Sequence, residues 1–326
     1  MDPPFASIMQ ALMLVDTPPV KFRLVTRSDF DGLVCGVLLT ELNLIDDILF
    51  VHPKDMQDSK VLITANDITT NLPYNPAAHR VFDHHVSETL RNATRAANHV
   101  IDPNALSAAR VVYDYYGGAE RFPRVSADMM AAVDKADSAQ FSVEDILRPT
   151  NWVLLNYLMD PRTGLGRFRN FRVSNYSLMM DLIQHCATLS IDEILQLTDV
   201  RERAELYFEH VAPASKQLQH CSTIHKNLLT LDLRNQDTIF ATNRFLIYAL
   251  YPQANISIHC LNGRDNQNTV FAVGKSIVNR SSKTHIGQLM LSYGGGGHEN
   301  AGTCQIANAD ASRVMHELIE TINSDG

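Results

Sequence analysis

Residues 25–36 read VTRSDFDGLVCG, placing Asp29 and Asp31 one residue apart between a β-prone run and a helical one. Asp67 closes the apolar run VLITAN, and Asp83, His84 and His85 follow the run RVF. Three apparent strands thus deliver acids or imidazoles at their carboxyl ends, the edge of an open parallel sheet where ligands bind. Unpaired carboxylates gathered there repel one another and raise each other's pKa. A divalent cation removes the conflict. Carboxylate oxygens with a minority of imidazole nitrogens suit Mn²⁺ or Mg²⁺, whereas structural zinc more often recruits thiolates. Asp29 and Asp31 can reach different ions from one turn, with Asp67 bridging two of them, and a pair of ions ~3.5–4 Å apart serves in-line displacement at phosphorus. Each Asp taken alone also fits a helix cap or turn, so the weight rests on their joint occurrence.

The elements that must position these groups follow from periodicity. VKFRLVT (20–26), ILFVH (48–52), VLITAN (61–66), RVF (80–82) and HVI (99–101) read as short strands. Helical spacing intervenes. Val34, Val37, Leu38 and Glu41 trace a helix with one apolar side, and ALSAARVVYDYYGG has Ser107 near its start and Gly117 past its end. Strands alternating with helices imply crossovers and a mainly parallel sheet with helices on both faces. From about Ser126 to Glu209 the pattern is helical, broken by DPRTGLGRFRN, and a helical continuation runs to about Lys226. NLLTLDL, ANISIHCL and TVFAVGKSIV then read as strands of a second, smaller α/β domain across a cleft. The expected division is 1–195, 196–228 as a helical linker, and 229–326.

These residues resemble the DHH phosphoesterases, named for the motif that stands here as Asp83-His84-His85. SDFDG matches the first motif, ND ending at Asp67 the second, and AVDKADSAQF the fourth, with Asp137 as the ligand and Asp134 in reserve. SYGGGGHENAG is similar to the glycine-rich signature of the DHH-associated domain. The resemblance implies Asp29, Asp31, Asp67, His84 and Asp137 on two Mn²⁺ or Mg²⁺ ions, and metal-activated water attacking phosphorus beside Asp83, His84 and His85. It further implies substrate phosphates held by His85, Arg280, Ser281, Gly295, Gly296, Gly297 and His298. Many relatives carry a ligand His two or four residues before the first motif Asp. Here those positions hold Arg27 and Val25, neither of which has a lone pair to give. Arg27 is therefore expected to help hold phosphate.

Composition narrows the partners. The net charge of −8 has the wrong sign for gripping long duplex nucleic acid. No apolar run approaches the ~18 residues of a membrane span, and no Lys or Arg precedes the apolar N-terminal patch as in a secretory signal. Five scattered cysteines without a C-x-x-C pair argue against disulfides and zinc ribbons, so a cytoplasmic protein is expected. The expected activity is hydrolysis of short nucleotide phosphodiesters, either oligonucleotides of a few residues or dinucleotides. Exopolyphosphatase or pyrophosphatase chemistry is the alternative, disfavoured by GGGGHENAG. A nucleotide-binding regulator that has lost turnover is a second one. A single-strand exonuclease would want a basic track, for which Arg167, Arg169 and Arg172 with Phe168 and Phe171 are the only concentration. A homodimer is left open.

Overall fold

A computed structural model describes residues 20–85, 88–89, 96–168 and 170–326. The first sheet comprises β1 (Phe22–Arg27), β2 (Ile45–Val51), β3 (Asp67–Thr70), β4 (Arg80–Asp83) and β5 (His99–Ile101). Its order is β2-β1-β3-β4-β5, and every pairing is parallel. The chain leaves β1 toward β2 on one side and returns through β3 on the other. Connections therefore diverge between β1 and β3, opening a crevice at their carboxyl ends.

The helices of this lobe are α1 (Phe30–Glu41), α2 (Pro53–Gln57), α3 (Ala108–Tyr115), α4 (Ala127–Asp137), α5 (Val143–Leu147), α6 (Asn151–Met159), α7 (Asn175–Cys186) and α8 (Ile191–Gln196). The spacing of Val34, Val37 and Leu38 suggested a one-sided helix, but α1 is buried on every face from Phe30 to Leu39. It lies between the sheet and helices α3, α4 and α7. Gly32 lets this helix start tightly against β1, since a Cβ there would fall 2.0 Å from the Arg27 carbonyl oxygen.

Helix α9 (Thr198–Cys221) carries the chain to the second sheet, formed by β6 (Ser222–His225), β7 (Leu228–Asp232), β8 (Ile256–Asn262), β9 (Thr269–Lys275), β10 (Gly296–His298) and β11 (Ala301–Ile306). Its order is β10-β11-β9-β8-β7-β6, antiparallel except for β7 with β8. The helix α10 (Leu246–Leu250) precedes β8, α11 (Ile286–Leu291) precedes β10, and α12 (Ala311–Asp325) ends the chain. Ile258 and Phe271 of one sheet face pack with Met290 of α11 against Leu318 and Ile322 of α12. From β7 and its end, Leu229, Leu231 and Leu233 join the core of the first lobe with Tyr207 and Leu218 of α9. The two lobes therefore share a hydrophobic core rather than hang on a loose linker. No described helix is long and apolar enough to cross a membrane.

Two expectations change at the level of elements. VLITAN is not a strand, and β3 is the following DITT. Ile63 is buried, packing with Val25, Met56, Leu72 and Val81 beneath the sheet edge, so the apolar run serves a satellite core instead of the ladder. The helical continuation expected up to Lys226 stops at Cys221, where the edge strand β6 begins.

Candidate active site

Three side chains converge at the carboxyl edge of the parallel sheet. Asp31 sits in the first turn of α1, Asp137 ends α4, and His84 follows β4. One ligand atom from each lies within 4.8 Å of the others. Asp31 is held from behind by α3, whose Ala108 and Ala109 N–H groups donate to its oxygens at 3.1 and 2.8 Å. A carboxylate is favoured at that positive helix end. His84 Nδ1 lies 3.2 Å from the Ala105 carbonyl oxygen. A carbonyl only accepts, so Nδ1 carries a proton; Nε2, 2.9 Å from Asp137 Oδ2, donates to that carboxylate without an ion and is the nitrogen that would give its lone pair to one. Two carboxylates and that imidazole nitrogen fit a divalent cation such as Mn²⁺ or Mg²⁺.

The electrostatics agree with that donor set. Burial, then the Asp137 charge, pushes Asp31 up to about 8. Burial acts to lower His84, but its bond to Asp137 and the surrounding carboxylates outweigh it and raise the imidazole to about 9. Asp137 is held below its ordinary range by His84 despite burial. The group draws positive charge from whatever source is at hand.

Asp29 stands apart from the trio. Its Oδ1 caps α1 through the Gly32 N–H at 3.0 Å, and its Oδ2 pairs with Arg27 Nε at 3.0 Å. Burial, only partly offset by Arg27, raises its pKa. Asp83 is fully buried at the end of β4, and its Oδ1 accepts the His84 and His85 N–H groups and His85 Nδ1–H at 2.7 Å. That bond fixes the His85 ring, whose centroid lies 5.9 Å from the ring of His298 at 27°. The second lobe thus reaches the first at its edge strand β10. Gly295 and Gly297 allow this, since a Cβ would fall 2.1 Å from the Thr303 carbonyl oxygen and 2.3 Å from that of Ala301. The glycine run builds an edge strand on β11, whereas the sequence suggested a loop whose N–H groups converge on an anion.

Asp67 does not join the site. It starts β3 opposite Arg23, and in a parallel sheet that is the other edge, about 10 Å from the carboxyl end of a four-residue strand. Its carboxylate is bound to Arg23 Nε and Nη2 at 2.7 and 3.0 Å and to Thr64. The residue that leaves β3 at the crevice is Asn71, which is 1% exposed, has φ 55°, and has both amide atoms unpartnered among the described residues. Asp134 is likewise committed, to Arg110 Nη2 at 2.7 Å and the Ser107 hydroxyl at 2.8 Å. It braces the start of α3 and so supports Asp31 indirectly. Arg280 donates to the carbonyl oxygens of Ala139 and Ile277, strapping the second lobe to the loop after α4, and the Ser281 hydroxyl accepts from Asn255. Of the basic loop, Arg172 pairs with Asp199 and Arg167 lines an interlobe cavity, while Arg169 lies outside the described residues.

Sequence reasoning missed Asn71, Arg162 and Arg244. Asn71 had a signal, since the β-branched DITT is followed by a residue type that tolerates left-handed backbone. The arginines had none. Burial acts to lower Arg162, but Asp160 and then the site carboxylates Asp29 and Asp137 raise it. Burial and then Arg162 push Arg244 down to about 10.

Among solved structures, the chain is similar to the pGpG-specific phosphodiesterase PggH of Vibrio cholerae, at 61% identity over 94% of this chain and 100% of that one, with a TM-score of 0.82. It is also similar in fold to RecJ of Thermus thermophilus in complex with Mn²⁺, at 12% identity over 93% of this chain and 52% of that one, with a TM-score of 0.56. No family model and no curated protein matches it. Together with the DHH trio at the sheet edge and the second lobe facing it, this similarity makes the chain a member of the DHH phosphoesterase family.

Proposed function

We propose that this chain hydrolyses short guanine dinucleotides such as pGpG, using one divalent cation held by Asp31, His84 and Asp137. The observation that carries the reading is this trio, whose His84 adjoins His85, the residue that faces His298 of the second lobe's edge strand. The 61% identity to PggH narrows the substrate from phosphoesters in general to a dinucleotide. The bound ion supplies Lewis-acid polarisation of phosphorus and a nucleophilic water at neutral pH. The residues supply the rest. Asp83 orients His85 by accepting its Nδ1–H, leaving Nε2 to contact the reacting phosphoryl group. His298 approaches from the opposite lobe as a further phosphate contact. Arg280 and Ser281 stay near the lobe junction, where Arg280 donates to the Ala139 carbonyl oxygen.

Support for one ion, where two were expected, comes from Asp29 and Arg27. The first carboxylate of the first motif, Asp29, is satisfied by a guanidinium and a helix N–H, and the crevice position after β3 is an amide rather than an acid. Arg27 then provides a fixed positive charge beside the ion, suited to a phosphate oxygen. Mn²⁺ is the first choice and Mg²⁺ the second, since an imidazole ligand suits the softer ion. All five cysteines are free, which supports a reducing compartment such as the cytoplasm.

The test is a Mn²⁺ titration followed by electron paramagnetic resonance, run alongside hydrolysis of pGpG. One tight ion per chain and loss of both binding and turnover in Asp137→Asn are expected. Two equivalent tight ions, or turnover by a metal-free Asp137→Asn chain, would refute the reading.

A further inference from the structure

We propose that the cavity between the lobes is a nucleoside pocket in which Arg244 reads the acceptor edge of a guanine base; this rests on the dinucleotide reading above. The cavity has a volume of about 440 Å³ and lies between the 160–167 loop, α9 and the face of the second sheet turned toward the first lobe. Ligand pockets run from about 300 to 1,000 Å³. This one suits a single nucleoside, leaving the remainder of a dinucleotide over the metal trio. Its walls decide the chemistry. Leu231, Ile239, Phe240 and Leu261 give it apolar walls, while Arg162, Arg167, Arg244 and Lys275 on the same lining supply the positive charge that a nucleotide's phosphate needs. The flat apolar faces of a base are what such walls accept.

Two donors on the wall lack partners. Arg244 makes no hydrogen bond or ion pair among the described residues, and its Nε is buried. Its guanidinium stands 4.4 Å from the ring centroid of Phe245, which holds the fork in one plane. Thr163, 2% exposed, has a hydroxyl with no partner among the described residues. Native proteins rarely bury unpaired donors without a ligand to receive them. Guanine presents two acceptors, O6 and N7, at the spacing of an arginine fork, whereas adenine sets an N6–H₂ donor beside N7. Asn300 and Ala301 line the cavity, and Ala301 pairs in register with His298, whose ring lies 5.9 Å from that of His85, so this side of the cavity leads to the reacting edge of the first lobe. A base seated here leaves its own phosphate near the reacting position.

The sheet floor shows where the pocket can be closed. His259 of β8 pairs in register with Ala272 of β9, and Ala272 with Thr303 of β11, all lining the cavity. A larger side chain at Ala272 projects into the space a base would fill.

The experiment compares kcat/KM for pGpG and its adenine counterpart pApA, with Mn²⁺, in wild type, Arg244→Gln, Arg244→Lys and Ala272→Leu. Folding is verified by circular dichroism and Mn²⁺ binding. Loss of the fork should cost about 5- to 150-fold on pGpG and less than about twofold on pApA. Arg244→Lys should behave like Arg244→Gln, because a point charge cannot make the paired bonds. Ala272→Leu should raise KM for pGpG about tenfold or more with kcat largely kept. An equal fall on both substrates would make Arg244 a phosphate contact and overturn the base reading, as would no change. An unaltered KM in Ala272→Leu would remove the cavity from the site. Failure of the dinucleotide reading looks different: the wild-type chain would turn over bis(4-nitrophenyl) phosphate but neither dinucleotide, and the pocket assignment would fall with it.

Discussion

Asp67→Ala should weaken the fold and spare the chemistry, the reverse of what a metal ligand would do. The carboxylate accepts from Arg23 Nε and Nη2 and from the Thr64 N–H and hydroxyl, at 2.6–3.0 Å. Hydrogen bonds to a charged group contribute about 1.5–3 kcal/mol each. The Arg23 side chain is 31% exposed, so water recovers part of its solvation once the partner is gone. A net loss of about 2–4 kcal/mol is expected, read as a shift in the urea midpoint. The pH dependence supplies a second signature. Burial would raise the Asp67 pKa, but Arg23 and Thr64 outweigh it and hold the group below its ordinary value. Its contribution is therefore complete above the unfolded pKa of about 3.9 and disappears as pH falls through the native value. The gap between wild type and Asp67→Asn should be full at pH 7 and close in acid. Mn²⁺ stoichiometry and kcat/KM per folded chain should stay within about threefold of wild type. In contrast, Asp137→Asn should lose Mn²⁺ binding outright and, in the ion-free chain, also lose the His84 pair that holds the Asp137 pKa down. An Asp67→Ala protein of wild-type stability that no longer binds Mn²⁺ would refute the placement of Asp67.

Further outcomes follow from the same contacts. Gly295→Ala or Gly297→Ala drives a methyl into the β11 backbone, while a Cβ at Gly296 meets open space. The first two should lower kcat/KM by about a hundredfold by displacing His298 from His85, and Gly296→Ala should be near neutral. Arg27→Met frees the Asp29 carboxylate from its partner; a second, weaker Mn²⁺ should then appear in the paramagnetic titration, and an unchanged curve would argue against Arg27 as the stand-in for an ion. Burial pushes the His259 pKa down to about 4. Stability from keeping it neutral is complete above the unfolded pKa of about 6.5 and is lost between there and about 4, by at most about 3 kcal/mol. His259→Gln should flatten that segment of the stability curve, and identical acid limbs would contradict the assignment.

What the sequence made legible was chemistry carried by neighbours in the chain. Asp83, His84 and His85 are consecutive, and the short β4 delivers all of them to one edge with no need to know the rest of the fold. Ser107 and Gly117 punctuated α3 because capping and positive φ are local properties, as the Ser107–Arg110 bond and the Gly117 φ of 109° show. The choice between Asp134 and Asp137 was not local. They lie one helical turn apart, and Arg110 on another helix decided which of them would be spoken for.

The error at Asp67 shows what propensity leaves out. VLIT and DITT are both β-prone, and the more apolar one looks the better strand. In the fold, the ladder partner of β3 is β1, where Arg23 faces position 67, so an acid at the strand's start neutralises a cation that would otherwise face a desolvated edge. Ile63 then drops into the satellite core beneath. A shift of one short segment moved a candidate ligand from one end of the sheet to the other and exposed Asn71 as the residue at the crevice. Arg162 and Arg244 raise the same issue across lobes. Each is unremarkable in its own segment, and only closure of the shared core sets two like charges beside the site carboxylates. Repulsion of that kind persists in a folded protein when a ligand relieves it, which is why the unpaired guanidinium of Arg244 points to substrate more strongly than any motif in the second lobe.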